Sequence, residues 1–212
     1  MMKNYRTIRE HGSHEINIKK SRFICTLKRT ESEEEAVSFI EQIKKEHFKA
    51  SHNCYAYLIG ESNHIQRASD DGEPSGTAGV PILEVLKKRN VKNITAVVTR
   101  YFGGTKLGTG GLIRAYGQVT NETLNHIGIV EKQLQQFVSV TVSYPVSAKL
   151  QNLLASSAYT VHSTDYTADV TFNCLIPIEK AELFIKETTD WTSGNATFET
   201  GAKAWIEVPV AN

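Results

Sequence analysis

The chain has 212 residues, 40% of them hydrophobic and 22% charged, with a formal net charge of +1 at pH 7. This composition is that of a globular protein and excludes a disordered or fibrous chain. Because single domains commonly hold about 100 to 150 residues, we expect two domains. No apolar run follows the basic N-terminal residues, and no segment approaches the roughly 20 apolar residues of a membrane span. We therefore expect a cytoplasmic protein with no membrane partner.

Charge is unevenly distributed along the chain. Residues 1–131 hold 19 Lys and Arg against 15 Asp and Glu, whereas residues 132–212 hold 5 against 8. A basic first part favours a polyanionic partner. The three cysteines are far apart and form no Cys-x-x-Cys pair, so we predict no disulfide framework, no metal site and no cofactor.

The first part of the chain alternates strand and helix patterns. Alternating or continuous apolar residues predict strands at 21–30, 54–59 and 94–102. A capping box at Ser32 and Glu35 opens a first helix, and further helices are predicted at 81–89 and at 112–127, where Gly128 closes the last one. Between the second strand and the second helix, residues 60–81 are predicted to be a long polar connection, a kind of loop that is often functional.

The second part has a simpler order of elements. Strands are predicted at 136–144, 160–166, 168–176 and 196–208, with helices at 147–157 and 178–189. The order βαββαβ predicts a ferredoxin-like sandwich, in which two helices cover one face of an antiparallel sheet. The fold class is therefore α+β with two domains, and the composition places the boundary between residues 131 and 132.

The glycine-rich stretch, residues 100–114, lies between a predicted strand and a predicted helix. Glycines there allow the backbone to approach a ligand, and the free N–H groups of a helix start favour an anion. The candidate phosphate- or nucleic-acid-binding residues are Arg100, Tyr101, Gly103, Gly104, Thr105, Lys106, Gly108, Thr109, Gly110, Gly111 and Arg114. The alternative is a tight turn whose glycines serve only to pack the helix against the sheet.

Two familiar nucleotide motifs do not fit this stretch. A Walker loop needs lysine directly after the second glycine, but Gly108 is followed by Thr109. The dinucleotide fingerprint also fails, because Gly110 is not followed by a third glycine at the required spacing. A phosphate group remains the expected ligand, outside these standard sites.

An acidic loop, residues 69–79, forms a candidate companion to the glycine-rich stretch. Its candidate residues are Ser69, Asp70, Asp71, Glu73, Ser75 and Thr77. The carboxylates could chelate a hard cation or serve as acid and base. The alternative is structural: the acids cap the helix that follows and pair with Arg100 or Lys106.

Other side chains that could take part in catalysis or binding are predicted to have structural roles. His52 and Cys54 lie two apart on a strand, about 6 to 7 Å from each other, which is long for a catalytic pair. We expect a partly buried histidine and a core cysteine. The aromatic residues near the basic stretch, among them Phe102 and Tyr116, could stack on bases, although aromatic residues on strands usually belong to the core.

Two long segments resemble the IMPACT family in its bacterial two-domain form. They are residues 68–81 (ASDDGEPSGTAGVP) and 99–116 (TRYFGGTKLGTGGLIRAY), and residues 51–56 (SHNCYA) are similar to the family pattern as well. The resemblance implies a first domain similar to the second domain of ribosomal protein S-five. It also implies a second domain, residues 132–212, similar to domain V of elongation factor G.

The same resemblance links the protein to translation. Eukaryotic members of the family regulate translation by competing for the activator of an amino-acid-starvation kinase, a pathway that bacteria lack. The leading hypothesis is therefore a non-enzymatic binder of RNA or the ribosome. Two alternatives stay open: an enzyme or binding protein for a phosphorylated small molecule or nucleotide, and a regulator with a protein partner in translation control. The resemblance supplies no catalytic residues.

Overall fold

The computed structural model describes residues 4–210 of the chain. They form two compact units: one extends to Lys132 and takes in the chain again from Glu207, and the other is Gln133–Ile206. This is the two-domain α+β fold that the sequence predicts. Where the chain returns to the first unit, Arg29 donates to both carboxylate oxygens of Glu207, at 2.5 and 2.8 Å.

The first unit contains one antiparallel sheet with helices on both faces. The strands of this sheet are β2 (Gly12–Ile18), β3 (Ser21–Arg29), β4 (His52–Ile59), β5 (Ile65–Ser69) and β6 (Ile94–Tyr101), while β1 (Tyr5–Ile8) lies outside it. Its helices are α1 (Glu33–Glu46), α2 (Gly79–Lys88) and α3 (Thr109–Ile127). The sheet has the order β2-β3-β6-β4-β5, so β6, which leads into the glycine-rich stretch, lies at its centre.

Side-chain alternation on these strands separates two cores. On one face, Tyr57 and Val97 pack with α1, whose buried residues include Phe39. On the other face, the even-numbered neighbours, such as Ala56 and Val98, pack with α2 and α3. Because successive side chains on a strand point to opposite faces, Arg100 of β6 lies on the α2 and α3 side of the sheet.

The second unit confirms the ferredoxin-like prediction. Its elements are β7 (Ile129–Val142), which begins in the first unit by pairing with β1, then α4 (Tyr144–Ser156), β8 (Thr160–Tyr166), β9 (Val170–Pro177), a 3₁₀ turn (Ile178–Lys180), α5 (Ala181–Trp191) and β10 (Thr197–Pro209). The strand order β10-β7-β9-β8 places the first and third strands of the unit at the centre of the sheet. Its core includes Val140, Phe172 and Phe184.

The structure corrects the predicted elements at several places, and β7 begins at Ile129, seven residues before the predicted strand 136–144. Residues 60–81 are not all loop, since β5 pairs with β4 in a hairpin. The N-terminal strands β1 and β2 carry no strong apolar alternation and were not predicted; β2 pairs with β3 through a two-residue turn. Helix α3 begins at Thr109, three residues earlier than predicted, and includes Gly110 and Gly111 in its first turn.

No helix among residues 4–210 is both long and apolar enough to cross a membrane.

Candidate anion-binding site

The acidic loop and the glycine-rich stretch border the same cavity at the start of α3, a cavity of about 410 Å³ that we call the α3 pocket. Predicted site residues that line it are Arg100, Lys106, Gly108, Thr109 and Glu73. The other lining residues are His52, Pro74, Phe102, Leu107 and Leu112. Two segments more than twenty residues apart in the sequence thus form one concave site.

An ion pair forms the buried wall of the α3 pocket. The Nη1 of Arg100 donates to Oε1 of Glu73 at 2.6 Å, and the two side chains are 6% and 4% exposed. The hydroxyl of Tyr116 donates to the same carboxylate oxygen at 2.8 Å. Because both charges are desolvated, each one requires the other to remain in the core. The pair fixes the acidic loop against β6.

His52 and Cys54 have the structural roles expected for them. The Nδ1 of His52 lies 2.8 Å from the carbonyl of Asp71, which can only accept, so Nδ1 carries the proton. The thiol of Cys54 is buried and donates to the carbonyl of Asp70 at 2.9 Å. Burial raises the pKa of Cys54 to about 12, so the thiolate needed by a nucleophile is scarce at neutral pH.

The start of α3, where Gly108 and Thr109 line the α3 pocket, has backbone donors that no helical carbonyl accepts. The first helical hydrogen bond runs from the N–H of Leu112 to the carbonyl of Gly108 at 2.9 Å. The N–H groups of the three residues between them therefore have no partner within the helix. Gly108, with φ of +73°, is the N-cap and has no side chain that could accept from them. This end of the helix is open to an anion.

The glycines of this stretch do not all serve the same purpose. A Cβ on Gly103 would lie 2.0 Å from the carbonyl oxygen of Lys20, so this glycine allows two backbones to touch. A Cβ on Gly110 would meet nothing within 4 Å. Packing therefore does not require glycine at position 110, where alanine would favour the helix by about 0.5 to 1 kcal/mol.

The acidic loop owes its shape to Asp70. Its carboxylate accepts from the N–H groups of Gly76, Ala78 and Gly79 at 2.8 to 3.0 Å, the last of which opens α2. Burial by itself would raise the pKa of Asp70, but these three backbone bonds outweigh it, and the pKa lies below its ordinary value. Together with the Glu73 pair, this is the structural arrangement that the sequence offered as an alternative to metal binding.

The remaining acidic-loop residues make local contacts. Asp71 accepts from the N–H of Asn53 at 2.7 Å and lies 3.2 Å from Nζ of Lys44. Ser69 accepts from the N–H of Asp71 at 3.4 Å, Thr77 donates to the carbonyl of Pro74 at 2.7 Å, and Ser75 is exposed. Within residues 4–210 no group of three or more His, Cys, Asp or Glu side chains could hold a metal ion.

Several predicted residues of the glycine-rich stretch lie outside the pocket lining. The hydroxyl of Tyr101 lies within hydrogen-bond distance of Nδ1 of His47, at 2.9 Å. The ring of Tyr101 packs against the guanidinium of Arg22. Arg114 and Thr105 are exposed, and neither they nor Gly104, Gly110 and Gly111 line the pocket with their atoms. Lys106 is thus the exposed cation of this stretch that lines the pocket.

A second basic feature next to the stretch escaped prediction. Lys19 and Lys20 form the two-residue turn between β2 and β3, with φ of +45° and +68°. Both angles are positive, as in a type I′ turn, where Asn-Gly is favoured and lysine is strained. The carbonyl of Lys20 touches Gly103, so this turn places two exposed lysines beside the glycine-rich stretch. The sequence signal that could have found it is the pair of adjacent lysines directly before the predicted strand 21–30.

Among the aromatic residues, Phe102 has the exposure needed for stacking. Its side chain is 49% exposed and lines the pocket, whereas Tyr57 and Tyr116 are fully buried. The Phe102 ring lies 5.4 Å below the guanidinium carbon of Arg100. Phe102 therefore has an apolar surface at the mouth of the pocket and a buried cation behind it.

The fold and the site define a two-domain α+β protein with a pocket at a glycine-capped helix start. Residues 19–124 match the Impact N-terminal domain, and residues 140–195 match a domain of unknown function, DUF1949. The chain belongs to the IMPACT family.

Relatives span both domains. The chain is 49% identical over 210 residues to IMPACT family member YvyE of Bacillus subtilis (strain 168), covering 99% of this chain and 97% of the relative. It is 38% identical to IMPACT family member YigZ of Escherichia coli (strain K12), covering 84% and 88%. A solved structure titled as a hypothetical protein is 34% identical, with a TM-score of 0.60 over 93% of this chain and 97% of the other.

Proposed function

We propose that this protein binds RNA within the translation machinery, without turnover, and that the α3 pocket and the Lys19-Lys20 turn contact RNA phosphates. The observation that carries the proposal is the set of unpaired N–H donors at the start of α3, beside the exposed Lys106. Helix starts and lysines are common phosphate-binding elements, and exposed aromatic rings stack on bases. The family resemblance supplies the link to translation.

Binding without turnover agrees with the state of the reactive groups. Carboxylates that could act as bases are engaged: Glu73 by Arg100 and Tyr116, and Asp70 by backbone N–H groups. The Cys54 thiol is held protonated by burial. These contacts favour a rigid binding surface, with domain 132–212 as a second module of the same protein.

The test is RNA binding measured by fluorescence anisotropy over a salt series from about 50 to 200 mM. Lys106→Ala should weaken binding to all single-stranded sequences and reduce the slope of log K against log [salt] by about 0.7, the value for one single-strand phosphate. Lys88→Gln, on the distal end of α2, removes an exposed charge of the same type and serves as control. Salt-independent binding, or equal affinity of Lys106→Ala and wild type, would contradict the proposal.

A second experiment distinguishes ribosome association from binding to a protein partner. The protein should co-sediment with ribosomes, and Lys106→Ala should reduce the bound fraction. Proteins captured from a lysate by this protein should be lost after nuclease treatment if RNA holds them. A captured partner that is unchanged by the nuclease favours the protein-interaction hypothesis over RNA binding.

The pocket volume favours a second candidate, a phosphorylated small molecule. About 410 Å³ falls in the range of roughly 300 to 1,000 Å³ typical of small-ligand sites. A nucleotide or phosphosugar that binds the folded state should raise the melting temperature. A flat response across such compounds would count against this candidate.

A further inference from the structure

Three segments of the chain meet at one end of the sheet of the first unit. Strands β3 and β4 flank β6 and run antiparallel to it, so both begin at the end where β6 finishes. The N–H of Gly103 donates to Oγ of Ser21 at 3.2 Å, and the N–H of Phe102 donates to Oγ of Ser51 at 3.1 Å. These bonds hold the three segments side by side. We call the area the Phe48 surface; it comprises residues 19–20, 48–49 and 102–106.

The Phe48 surface has two exposed aromatic rings. Of the eight phenylalanines in the chain, Phe48 and Phe102 are the exposed ones, at 74% and 49%. Phe48 follows α1 and escaped prediction. Single exposed apolar side chains are common on protein surfaces, but here both exposed phenylalanines of the chain lie at one end of one sheet. An aromatic ring that faces water is the element on which an unpaired base stacks.

The two phenylalanines are close enough to contact one short strand of nucleic acid. Ser51, which accepts from the N–H of Phe102, also donates its own N–H to the carbonyl of Arg100 at 2.8 Å. Phe48 lies three residues before Ser51, a span of at most about 10 Å. Each ring has a cation beside it, since Nζ of Lys49 lies 5.5 Å from the centre of the Phe48 ring and the guanidinium carbon of Arg100 lies 5.4 Å from that of Phe102.

The charge around the two rings favours a polyanionic partner. Four exposed lysines of the surface form no ion pair within residues 4–210: Lys19, Lys20, Lys49 and Lys106. The acids closest to them along the chain are Glu15 and Glu46. Glu15 pairs with Arg22 at 2.8 Å, and Glu46 accepts from Gln42 at 2.8 Å. Four unpaired lysines beside exposed aromatic rings are the combination that binds single-stranded nucleic acid.

Exposed rings also distinguish one form of RNA from another. In a duplex the bases stack on each other, and a protein contacts the phosphates and 2′-hydroxyls instead. In a single strand the bases can be splayed out and stacked on aromatic side chains. A duplex would therefore leave Phe48 and Phe102 exposed, whereas a single strand would cover them.

We infer that the Phe48 surface binds the unstacked bases of single-stranded RNA, with one base on Phe48, another on Phe102 and the lysines at neighbouring phosphates. The inference rests on the proposed RNA binding and names the form of RNA, and the part of the nucleotide, that the protein recognises. Because every base has a π face, these contacts accept any base.

The experiment compares three RNA ligands of one sequence by fluorescence anisotropy at a fixed salt concentration. They are the single strand, a strand with the same phosphates but abasic central nucleotides, and the duplex with the complementary strand. The intact single strand should bind on the order of tenfold more tightly than the abasic strand, as expected for stacked bases. It should also bind more tightly than the duplex, although the duplex has the higher charge density.

Phe48→Ala is the decisive variant, because a side chain that is 74% exposed can be removed without opening the core. It should weaken binding to the single strand by about fivefold or more and leave the affinities for the duplex and the abasic strand unchanged. Its salt slope should equal that of wild type, since no charge is removed. Phe48→Trp should retain the affinity, whereas Phe48→Leu, which is apolar but has no ring, should not.

Val37→Ala is the matched control. Val37 is 45% exposed and lies on α1, nine residues before the helix ends at Glu46, a distance of about 14 Å along the axis. The variant removes an exposed apolar side chain from the same unit and should leave the affinities for all three RNA ligands unchanged. The melting temperatures of the Phe48 variants should stay close to that of wild type.

Two results would overturn the inference and leave the proposed RNA binding intact. Equal affinity of the wild type for the intact and abasic strands would show that the protein contacts phosphates alone. Wild-type affinity of Phe48→Ala for the single strand would exclude Phe48 as a stacking site. If no RNA ligand binds even at low salt, the proposed function itself has failed and the inference with it, a result distinct from both.

Discussion

Arg100 and Glu73 form a buried ion pair, 2.6 Å between Nη1 and Oε1, that joins the central strand β6 to the acidic loop. Neither residue can be removed alone without leaving a charge in the core. The pair therefore links stability and pocket shape: the same contact that holds the acidic loop in place forms the wall against which a ligand would rest.

Glu73→Gln should be strongly destabilising. The amide is nearly isosteric but leaves the Arg100 charge unpaired in a buried site, which typically costs about 3 to 5 kcal/mol. Urea unfolding should show this as a lower midpoint with an unchanged m-value. The double variant Glu73→Gln with Arg100→Met should recover much of the loss, because it buries no charge. A single-variant loss below about 1 kcal/mol would show that water reaches the pair.

Gly103→Ala and Gly110→Ala should have opposite effects on stability. At position 103 the new Cβ would lie 2.0 Å from the carbonyl oxygen of Lys20, and this clash is with backbone, so the turn or the strand end must move. At position 110 the Cβ meets nothing and the helix gains about 0.5 to 1 kcal/mol. Thermal unfolding of the two variants side by side tests this, and equal melting temperatures would contradict it.

The sequence predicts local elements well where a single segment contains the whole signal. Ser32 accepts from the N–H of Glu35 at 3.2 Å, as the capping box requires, and the order of elements after Gln133 has the ferredoxin-like arrangement. Strand β2 escaped prediction because its inward positions include Gly12 and His14, which hide the apolar alternation.

The start of α3 was placed too late for a related reason. Gly110 and Gly111 have low helix propensity, so a prediction from local sequence begins the helix after them. The site was predictable only in part. Both loops were identified from their composition, but the contact between Arg100 and Glu73 joins residues 27 apart and depends on β6 lying at the centre of the sheet.

Asp70→Asn should be destabilising in a pH-dependent way. The folded-state pKa of Asp70 lies below its ordinary value of 3.8, so the ionised carboxylate contributes stability above that pH and loses it as the pH falls through the folded pKa. Near pH 7 we expect a loss of about 1 to 2 kcal/mol, since the amide oxygen replaces a charged acceptor for three N–H groups. The difference from wild type should shrink below about pH 4. A difference that stays constant from neutral to acid pH would contradict this role.

All three cysteines should resist thiol reagents in the folded protein. Burial raises the pKa of Cys25 and Cys54 to about 12 and that of Cys174 to about 11, so little thiolate is present near pH 8. A colorimetric thiol reagent should report no free thiol in native protein and three after denaturation. Because the folded pKa values are raised, the same groups destabilise the fold as pH rises above their ordinary value of 9.0. Rapid native labelling of Cys54 would show that the acidic loop opens.

Replacing the lysines of the Lys19-Lys20 turn should raise the stability of the protein and lower its affinity for RNA. Both residues have positive φ, which costs lysine more than Asn-Gly. The variant Lys19→Asn with Lys20→Gly should therefore raise the free energy of unfolding, by about 1 kcal/mol. It also removes two exposed charges beside Gly103, so RNA affinity should fall and the salt slope should decrease by up to about 1.4.

The matched control for the turn variant is Lys87→Gln with Lys88→Gln, which removes two charges from the last turn of α2. That end lies about 15 Å along the helix from the start of α2, which packs on Ser69. The control should leave RNA affinity unchanged. If the turn variant is more stable and binds RNA as well as wild type does, the strained lysines serve neither the fold nor this interaction, and the RNA contact must be confined to the α3 pocket.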